Sequence, residues 1–357
     1  MRTFLCLNYG SSSLKYALFE ETKAVLRGSY ECRRLEDFER ALEELRKNIQ
    51  SVPCAVAHRV VHGMEHTSPM PIREESLKIL EELAQINPLH NAIALKGIKK
   101  SLQVFPESKH FALFDTDFHR NMPPYARIYG IDYSLYQKGI KRYGFHGLSY
   151  SYLLRKSKEI LQKEKPNLIM MHLGQGCSLC AVKDGLSVET SMGFSPLEGL
   201  LMVSRPGDID AGILLELLRM GYSPEELNHA LYYRSGLSAM ADVSNFKELL
   251  AHMDSDNRAR LAFDAFIHRL LKYVGAYWFL LQGKVDALVF SGGIGENSWE
   301  VRKVICEKLS FLRIEIDNNA NRENKELIST PQSPVKVLVL KTDEELEMVL
   351  RLLEQIL

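Results

Sequence analysis

Seven short stretches carry the groups able to do chemistry. Asn8-Tyr9-Gly10-Ser11-Ser12-Ser13-Leu14-Lys15 is a polar loop between two apolar runs, Phe4 to Leu7 and Tyr16 to Phe19. Glycine lets the backbone approach a ligand, hydroxyls and N–H groups cradle an anion, and lysine adds a point charge, so a phosphate suits this loop. A plain hairpin turn suits it as well, since Ser and Gly are ordinary turn residues. Arg59, in His58-Arg59-Val60-Val61-His62-Gly63, stands among apolar neighbours, where a charge is costly unless it is paired or faces a ligand. Asp115 and Asp117 follow the apolar run His110 to Phe114. Acids at such a strand end serve a metal or a proton, or act as turn and cap residues. His146 lies between Phe145 and Gly147, and Ser204-Arg205-Pro206-Gly207-Asp208-Ile209-Asp210 packs three charges into one loop. Gly174-Gln175-Gly176 and Ser291-Gly292-Gly293-Ile294-Gly295-Glu296-Asn297 are glycine-rich, the second set between a strand and a helix as phosphate platforms are. Neither the G-x-G-x-x-G nor the G-x-x-x-x-G-K-[ST] fingerprint occurs.

The elements that must position these groups follow from periodicity. Apolar runs predict strands at Cys54 to Val61, His110 to Phe114, Asn167 to Leu173, Cys177 to Val182, Leu186 to Thr190, Val285 to Phe290 and Val335 to Leu340. Helical spacing predicts helices through Leu35 to Ile49, Ser76 to Ala84, Ala92 to Leu102, Leu148 to Leu161, Asp256 to Gln282, Trp299 to Leu309 and Leu346 to Leu353. Ser223-Pro224-Glu225-Glu226 and Thr342 with Glu345 read as capping boxes. The strand, glycine turn, strand pattern at Gly174 to Gly176 echoes the opening loop. Cys177 and Cys180 lie three apart on a strand and so point to opposite faces; with no second pair, a metal there is not expected.

A length of 357 residues suggests about two domains. With 45 basic and 45 acidic residues, broad electrostatic capture of nucleic acid or an anionic membrane is disfavoured, which leaves a small ligand. Asn8 and Gly10 interrupt the first apolar run, so no export signal is expected, and no run approaches the ~18 residues of a membrane span. Six scattered cysteines are expected to be reduced thiols in the cytoplasm.

Taken in order, ten blocks resemble the acetate kinase family: Leu7 to Lys15, His58 to Gly63, Pro88 to Asn91, Phe114 to His119, Arg142 to Gly147, His172 to Gly176, Glu189 to Gly199, Arg205 to Asp210, Asp286 to Asn297 and Thr342 to Glu345. The resemblance implies an α/β fold of two duplicated ribonuclease-H-like domains with an active-site cleft between them. The expected boundaries are 1–117 plus 346–357 for the first domain and 118–345 for the second, which binds the nucleotide. The implied reaction is reversible transfer of the ATP γ-phosphoryl group to acetate, giving acetyl phosphate and ADP with Mg2+, by a cytoplasmic homodimer. Alternatives are propionate or another short acid as acceptor, pyrophosphate as donor, or a non-catalytic nucleotide-responsive binding protein.

The resemblance also implies roles. Arg59 would hold the acceptor carboxylate and Arg205 the transferring group, with His146 donating to it and Asp115 acting beside the carboxylate or metal. Asn8 and Glu344 would organise the magnesium. Lys15, His172, Leu173, Gly174, Gln175, Gly176, Asn245, Phe246, Lys247, Gly293, Ile294, Gly295, Glu296 and Asn297 would contact the nucleotide. Val61, Leu89, Phe145 and Pro196 match the family's pocket for the acyl methyl. The chain departs from the usual pattern at Tyr9, Met64, Asp117, Gln175 and Asn245-Phe246-Lys247, and its first domain is shorter between Glu20 and Pro53.

Overall fold

The computed structural model describes residues 2–10, 13–32, 34–86 and 90–356. The chain divides into two units. The first comprises Met1–Arg120, Phe145–Tyr152 and Asp343–Leu357, and the second Asn121–Gly144 and Leu153–Thr342.

The first unit holds a sheet of β1 (Thr3–Tyr9), β2 (Ser13–Glu20), β3 (Lys23–Glu31), β4 (Ala55–Val60), β5 (Met70–Pro71) and β6 (Lys109–Phe114), in the order β3-β2-β1-β4-β6-β5. The strands β1, β2 and β3 form an antiparallel meander, and β4 and β6 run parallel to β1. Strand alternation sorts the core onto two faces. Leu5, Leu7, Val56, Val60, Ala112 and Phe114 pack with Phe38, Leu42 and Leu45 of helix Leu35–Asn48 and with Ala94 and Ile98 of helix Asn91–Val104. Phe4, Cys6, Ala17, Ala55, Ala57, Phe111 and Leu113 pack with Met348, Val349 and Leu352 of the last helix, Glu344–Ile356.

The second unit repeats the plan. Its strands β7 (Leu168–Leu173), β8 (Cys177–Lys183), β9 (Leu186–Thr190), β10 (Ala287–Ser291) and β11 (Lys336–Val339) lie in the order β11-β10-β7-β8-β9. Again the first three form an antiparallel meander and the last two run parallel to the first. The long helix Asn257–Leu280 buries Ala262, Phe266, Leu270 and Val274 against this sheet. Apart from the short antiparallel β5 at the edge of the first, the two sheets share one order and one set of orientations, an α/β fold of duplicated ribonuclease-H-like units, as the echoing hairpins suggest.

Three local expectations are corrected. Strand β3 was not expected; every other residue of it is exposed, so it carries no apolar run. The glycine-rich segment after β10 is not a turn, because Gly292–Asn297 is itself helical. Thr342 does not cap the last helix: the side chain of Asp343 accepts from the Leu346 N–H at 2.9 Å. The capping box at Ser223 is present, with both of its reciprocal bonds.

Candidate active site

In the first unit, period-2 alternation brings the polar candidates to one face. Residues 4 and 6 of β1, 55 and 57 of β4, and 111 and 113 of β6 lie under the last helix. Two residues further on, the same face continues as Asn8, Arg59 and Asp115. Lys15 pairs with Asn8 across the β1–β2 ladder and lies on that face too. The first residue of the covering helix is Glu344, placed where the helix dipole favours an anion. The sheet face is therefore apolar under the helix and charged just beyond its N-terminus.

These charges are closely engaged. Arg59 forks onto Asp115, Nε to Oδ1 at 3.2 Å and Nη2 to Oδ2 at 2.7 Å. Its Nη1 meets Glu344 Oε2 at 2.8 Å. Asp115 is buried, and Arg59 and Glu344 are largely so. Burial opposes the charge on Arg59, but the two carboxylates outweigh it and hold its pKa above the ordinary arginine value. Glu344 moves the other way: burial pushes it up to about 7, against the attraction of Arg59 and with the repulsion of Asp115 and Glu345. One cation between two acids leaves the second acid poorly compensated.

His146 and Phe145 belong to the same unit. His146 adopts a left-handed backbone, φ 59°, immediately before helix Gly147–Leu161. Gly147 lets the start of that helix close on the backbone after β6: a Cβ there would lie 1.9 Å from the Asp115 carbonyl oxygen, so only glycine permits this approach. Phe145 is buried and meets His62 edge-on at 5.4 Å, and Val61 is half-buried. Leu89, and Ser11 and Ser12 of the opening loop, lie outside the described residues.

In the second unit, the glycine-rich segments meet. Gly292 has φ 75°, and a Cβ on it would sit 2.6 Å from the Leu173 carbonyl oxygen, so this glycine lets the helix start abut the Gly174-Gln175-Gly176 turn. His172 pairs with Ser291 across β7 and β10. The Gln175 carbonyl accepts from the Val203 N–H at 3.3 Å, which anchors the loop of Arg205 to the same turn. Arg205 donates to the Pro196 carbonyl at 3.1 Å and lies over the Tyr232 ring, 5.9 Å from its centroid. No carboxylate among the described residues forms an ion pair with it, and burial lowers its pKa. A half-buried, uncompensated guanidinium beside a glycine cradle is suited to receive an anion.

Other residues of the second unit support this geometry. Glu296 accepts from the Gly292 N–H at 3.0 Å and the Thr342 N–H at 3.3 Å, and Asn297 donates to the Gly293 carbonyl at 2.8 Å. Ile294 and Gly295 are buried within that short helix. Asn245 caps helix Phe246–His252 through Glu248 N–H, Phe246 packs on Phe263 and Phe266, and Lys247 is exposed.

Two further arginines position these segments: Arg142 opens one of the family-like blocks without a role of its own, and Arg302 carries no sequence signal beyond its charge. Arg142 donates to the carbonyls of Thr190, Ser191 and Met192 at 3.1 to 3.3 Å and to Glu198 at 2.5 Å, fixing the segment that carries Pro196. Arg302 is fully buried and donates to the Gly295 and Asn321 carbonyls at 2.7 and 2.6 Å. Among the departures, Met64 has φ 48°, a conformation in which glycine is unstrained. Asp117 is a structural anion, paired with Arg351 at 2.8 Å and Arg120 at 3.2 Å.

The family model described as the Acetokinase family matches residues 33–350. An acetate kinase of Campylobacter concisus is 38% identical over 381 residues, covering 96% of each chain. A solved propionate kinase of Francisella tularensis superposes with a TM-score of 0.93 at 35% identity, covering 98% of this chain and 99% of the other. A solved acetate kinase of Porphyromonas gingivalis gives 0.91 at 32% identity, covering both chains fully.

Proposed function

The chain belongs to the acetokinase family, and from that premise we propose that it transfers the γ-phosphoryl group of ATP reversibly to acetate. The observation that carries the reading is the Arg59, Asp115 and Glu344 cluster beside Asn8 and Lys15. Phosphoryl transfer asks a protein mainly for positioning and charge neutralisation, and this cluster supplies a rigid cation with acids around it.

In this reading Asp115 holds the Arg59 guanidinium rigid, and the acceptor carboxylate binds along its Nη edge. Glu344 occupies that edge in the structure. Acetate is ionised at pH 7, so no general base is required. His146 donates to the equatorial oxygens of the moving phosphoryl group, and Arg205 offsets its charge. The backbone of Gly174, Gln175 and Gly176 and the start of helix Gly292–Asn297 hold the donor phosphates, with Lys15 as a further cation.

The oxygen donors of Asn8 and Glu344 fit Mg2+, which takes one or two protein ligands and keeps its remaining places for phosphate and water. A Glu344 carboxyl that burial lifts to about 7 even beside Arg59 is one whose charged form a divalent cation would favour. When bound there, Mg2+ would neutralise phosphate charge. Glu344 turned toward it would free the Nη edge of Arg59 for the acceptor.

The half-buried Val61 and the buried Phe145 of the first unit suit a short acyl chain, and the solved propionate kinase marks the longer acid as the alternative acceptor. A homodimer is supported by helix Ala211–Arg219, which exposes Ile213, Leu215 and Leu218. Among the described residues no helix is long and apolar enough to cross a membrane. Steady-state rates over a matrix of donors and acids test the reading; preference for ATP with acetate supports it, and preference for pyrophosphate or a longer acid replaces it.

A further inference from the structure

Behind the charged face of the first unit, three buried side chains form a single hydrogen-bonded row. The Tyr9 hydroxyl lies 3.2 Å from His58 Nδ1, His58 Nε2 lies 3.0 Å from His110 Nδ1, and His110 Nε2 lies 3.0 Å from the Phe105 carbonyl oxygen. The three rings are nearly coplanar in orientation, 11° apart for each neighbouring pair. All three residues are buried.

The chemistry of the last acceptor fixes the direction of the row. A carbonyl oxygen only accepts, so His110 Nε2 carries the proton and its Nδ1 accepts. His58 Nε2–H donates to that Nδ1, leaving His58 Nδ1 to accept from the Tyr9 hydroxyl. Burial pushes both imidazoles below the ordinary histidine range, so each is neutral with one donor and one acceptor. All four imidazole nitrogens are used, and each histidine ring is held in one tautomer and one orientation.

The row bears on the site through strand alternation. Tyr9 and His58 point to the face opposite Asn8 and Arg59, their immediate neighbours on β1 and β4. The protein also makes room for the phenol: a Cβ on Gly97 would lie 2.1 Å from Tyr9 Cε1, so helix Asn91–Val104 carries glycine where the ring passes. This gives structural room to Tyr9, one of the departures from the family pattern.

We infer that Tyr9, His58 and His110 are positioning residues which lock β1 and β4 in register from behind and thereby set the Arg59 guanidinium for the acceptor carboxylate. The inference rests on Arg59 holding the acceptor. It assigns the row no proton transfer and no contact with substrate.

The experiment is steady-state kinetics on Tyr9→Phe, His110→Leu and His110→Asn, with ATP and acetate varied separately and folding followed by thermal melts. Asn offers its Oδ1 where His110 offers Nδ1, so it keeps the acceptor for His58, whereas Leu removes it at similar volume. In Tyr9→Phe and His110→Leu, kcat/KM for acetate falls about 10-fold or more while KM for ATP stays within about twofold, as a small misplacement of one binding group requires. His110→Asn stays within about threefold of the parent on both substrates. A folded His110→Leu with parental acetate constants, or His110→Leu and His110→Asn impaired alike, overturns the inference. Should His110→Leu fail to fold, Tyr9→Phe decides on the same outcomes. Arg59→Ala is run alongside: if it retains parental acetate kinetics, the Arg59 assignment fails; if it alone is impaired, only the role of the row fails.

Discussion

Glu344 Oε2 lies 2.8 Å from Nη1 of Arg59, while the other side of the same guanidinium forks onto Asp115. One cation serves two acids, and the acid nearer the last helix bears the imbalance. Glu344 is thus the movable member of the cluster, and Asp115, buried and bidentate, is the fixed one.

The first prediction concerns pH. Burial raises Glu344 to about 7. A carboxyl whose folded pKa exceeds its unfolded value of about 4.3 binds its proton more tightly when native, so this group's contribution to stability falls as pH rises from about 4 to about 7. Glu344→Gln removes that loss. Thermal melts of the variant and parent should differ little at pH 4, with the variant more stable at pH 8 by on the order of 1–3 kcal/mol. Acetyl phosphate formation should fall at the same time, since a site strained for function is stabilised by losing it. A variant less stable than the parent at pH 8 would contradict the strained reading of Glu344.

Arg59→Ala has the opposite signature. It leaves Asp115 buried without its counter-charge, which costs about 3–5 kcal/mol when one partner of a buried pair is removed. Arg59→Lys keeps the charge but cannot fork onto the carboxylate. Denaturant titrations should order the stabilities parent, Lys, Ala, and both variants should lose kcat/KM for acetate.

Arg205 separates function from stability. Its guanidinium pairs with no carboxylate among the described residues and is opposed by burial, so Arg205→Ala strands no acid. The melting temperature should stay within a few degrees of the parent, while kcat drops by about 10²–10⁴, the range of lost transition-state charge contacts. Unchanged turnover would remove Arg205 from the mechanism.

Gly147→Ala tests the close approach of this helix start to the Asp115 backbone. The added methyl would meet the Asp115 carbonyl at 1.9 Å, and backbone cannot yield as a side-chain tip can. Overpacking of this kind costs about 1–3 kcal/mol or more, and the displaced helix start should lower kcat as well. A variant with parental melting and turnover would show that this contact does not position the site.

Much of the architecture was legible in the sequence because buried strands announce themselves as apolar runs, and the strands β1, β4, β6, β7, β8 and β10 all do. Strand β3 does not, because an edge strand with one solvated face mixes Lys23, Arg27 and Glu31 with Val25 and Tyr30. The helicity of Gly292–Asn297 was hidden for a different reason. Its glycines have poor helix propensity, and side-chain bonds from Arg302 to the Gly295 carbonyl and from the Gly292 N–H to Glu296 hold the short helix. Asp343 took the cap from Thr342 by one residue, a shift that spacing alone does not resolve. Arg59, Asp115 and Glu344 were nameable one by one, but their mutual engagement depends on strand register and on where the last helix begins.

The central claim is that this site moves a phosphoryl group from ATP to acetate. Purified protein incubated with ATP, acetate and Mg2+, with product trapped as the hydroxamate, tests it most directly. The account predicts acetyl phosphate formed in proportion to ADP, and almost none from Arg205→Ala of equal stability. Natively folded protein that forms no acetyl phosphate under these conditions would contradict it.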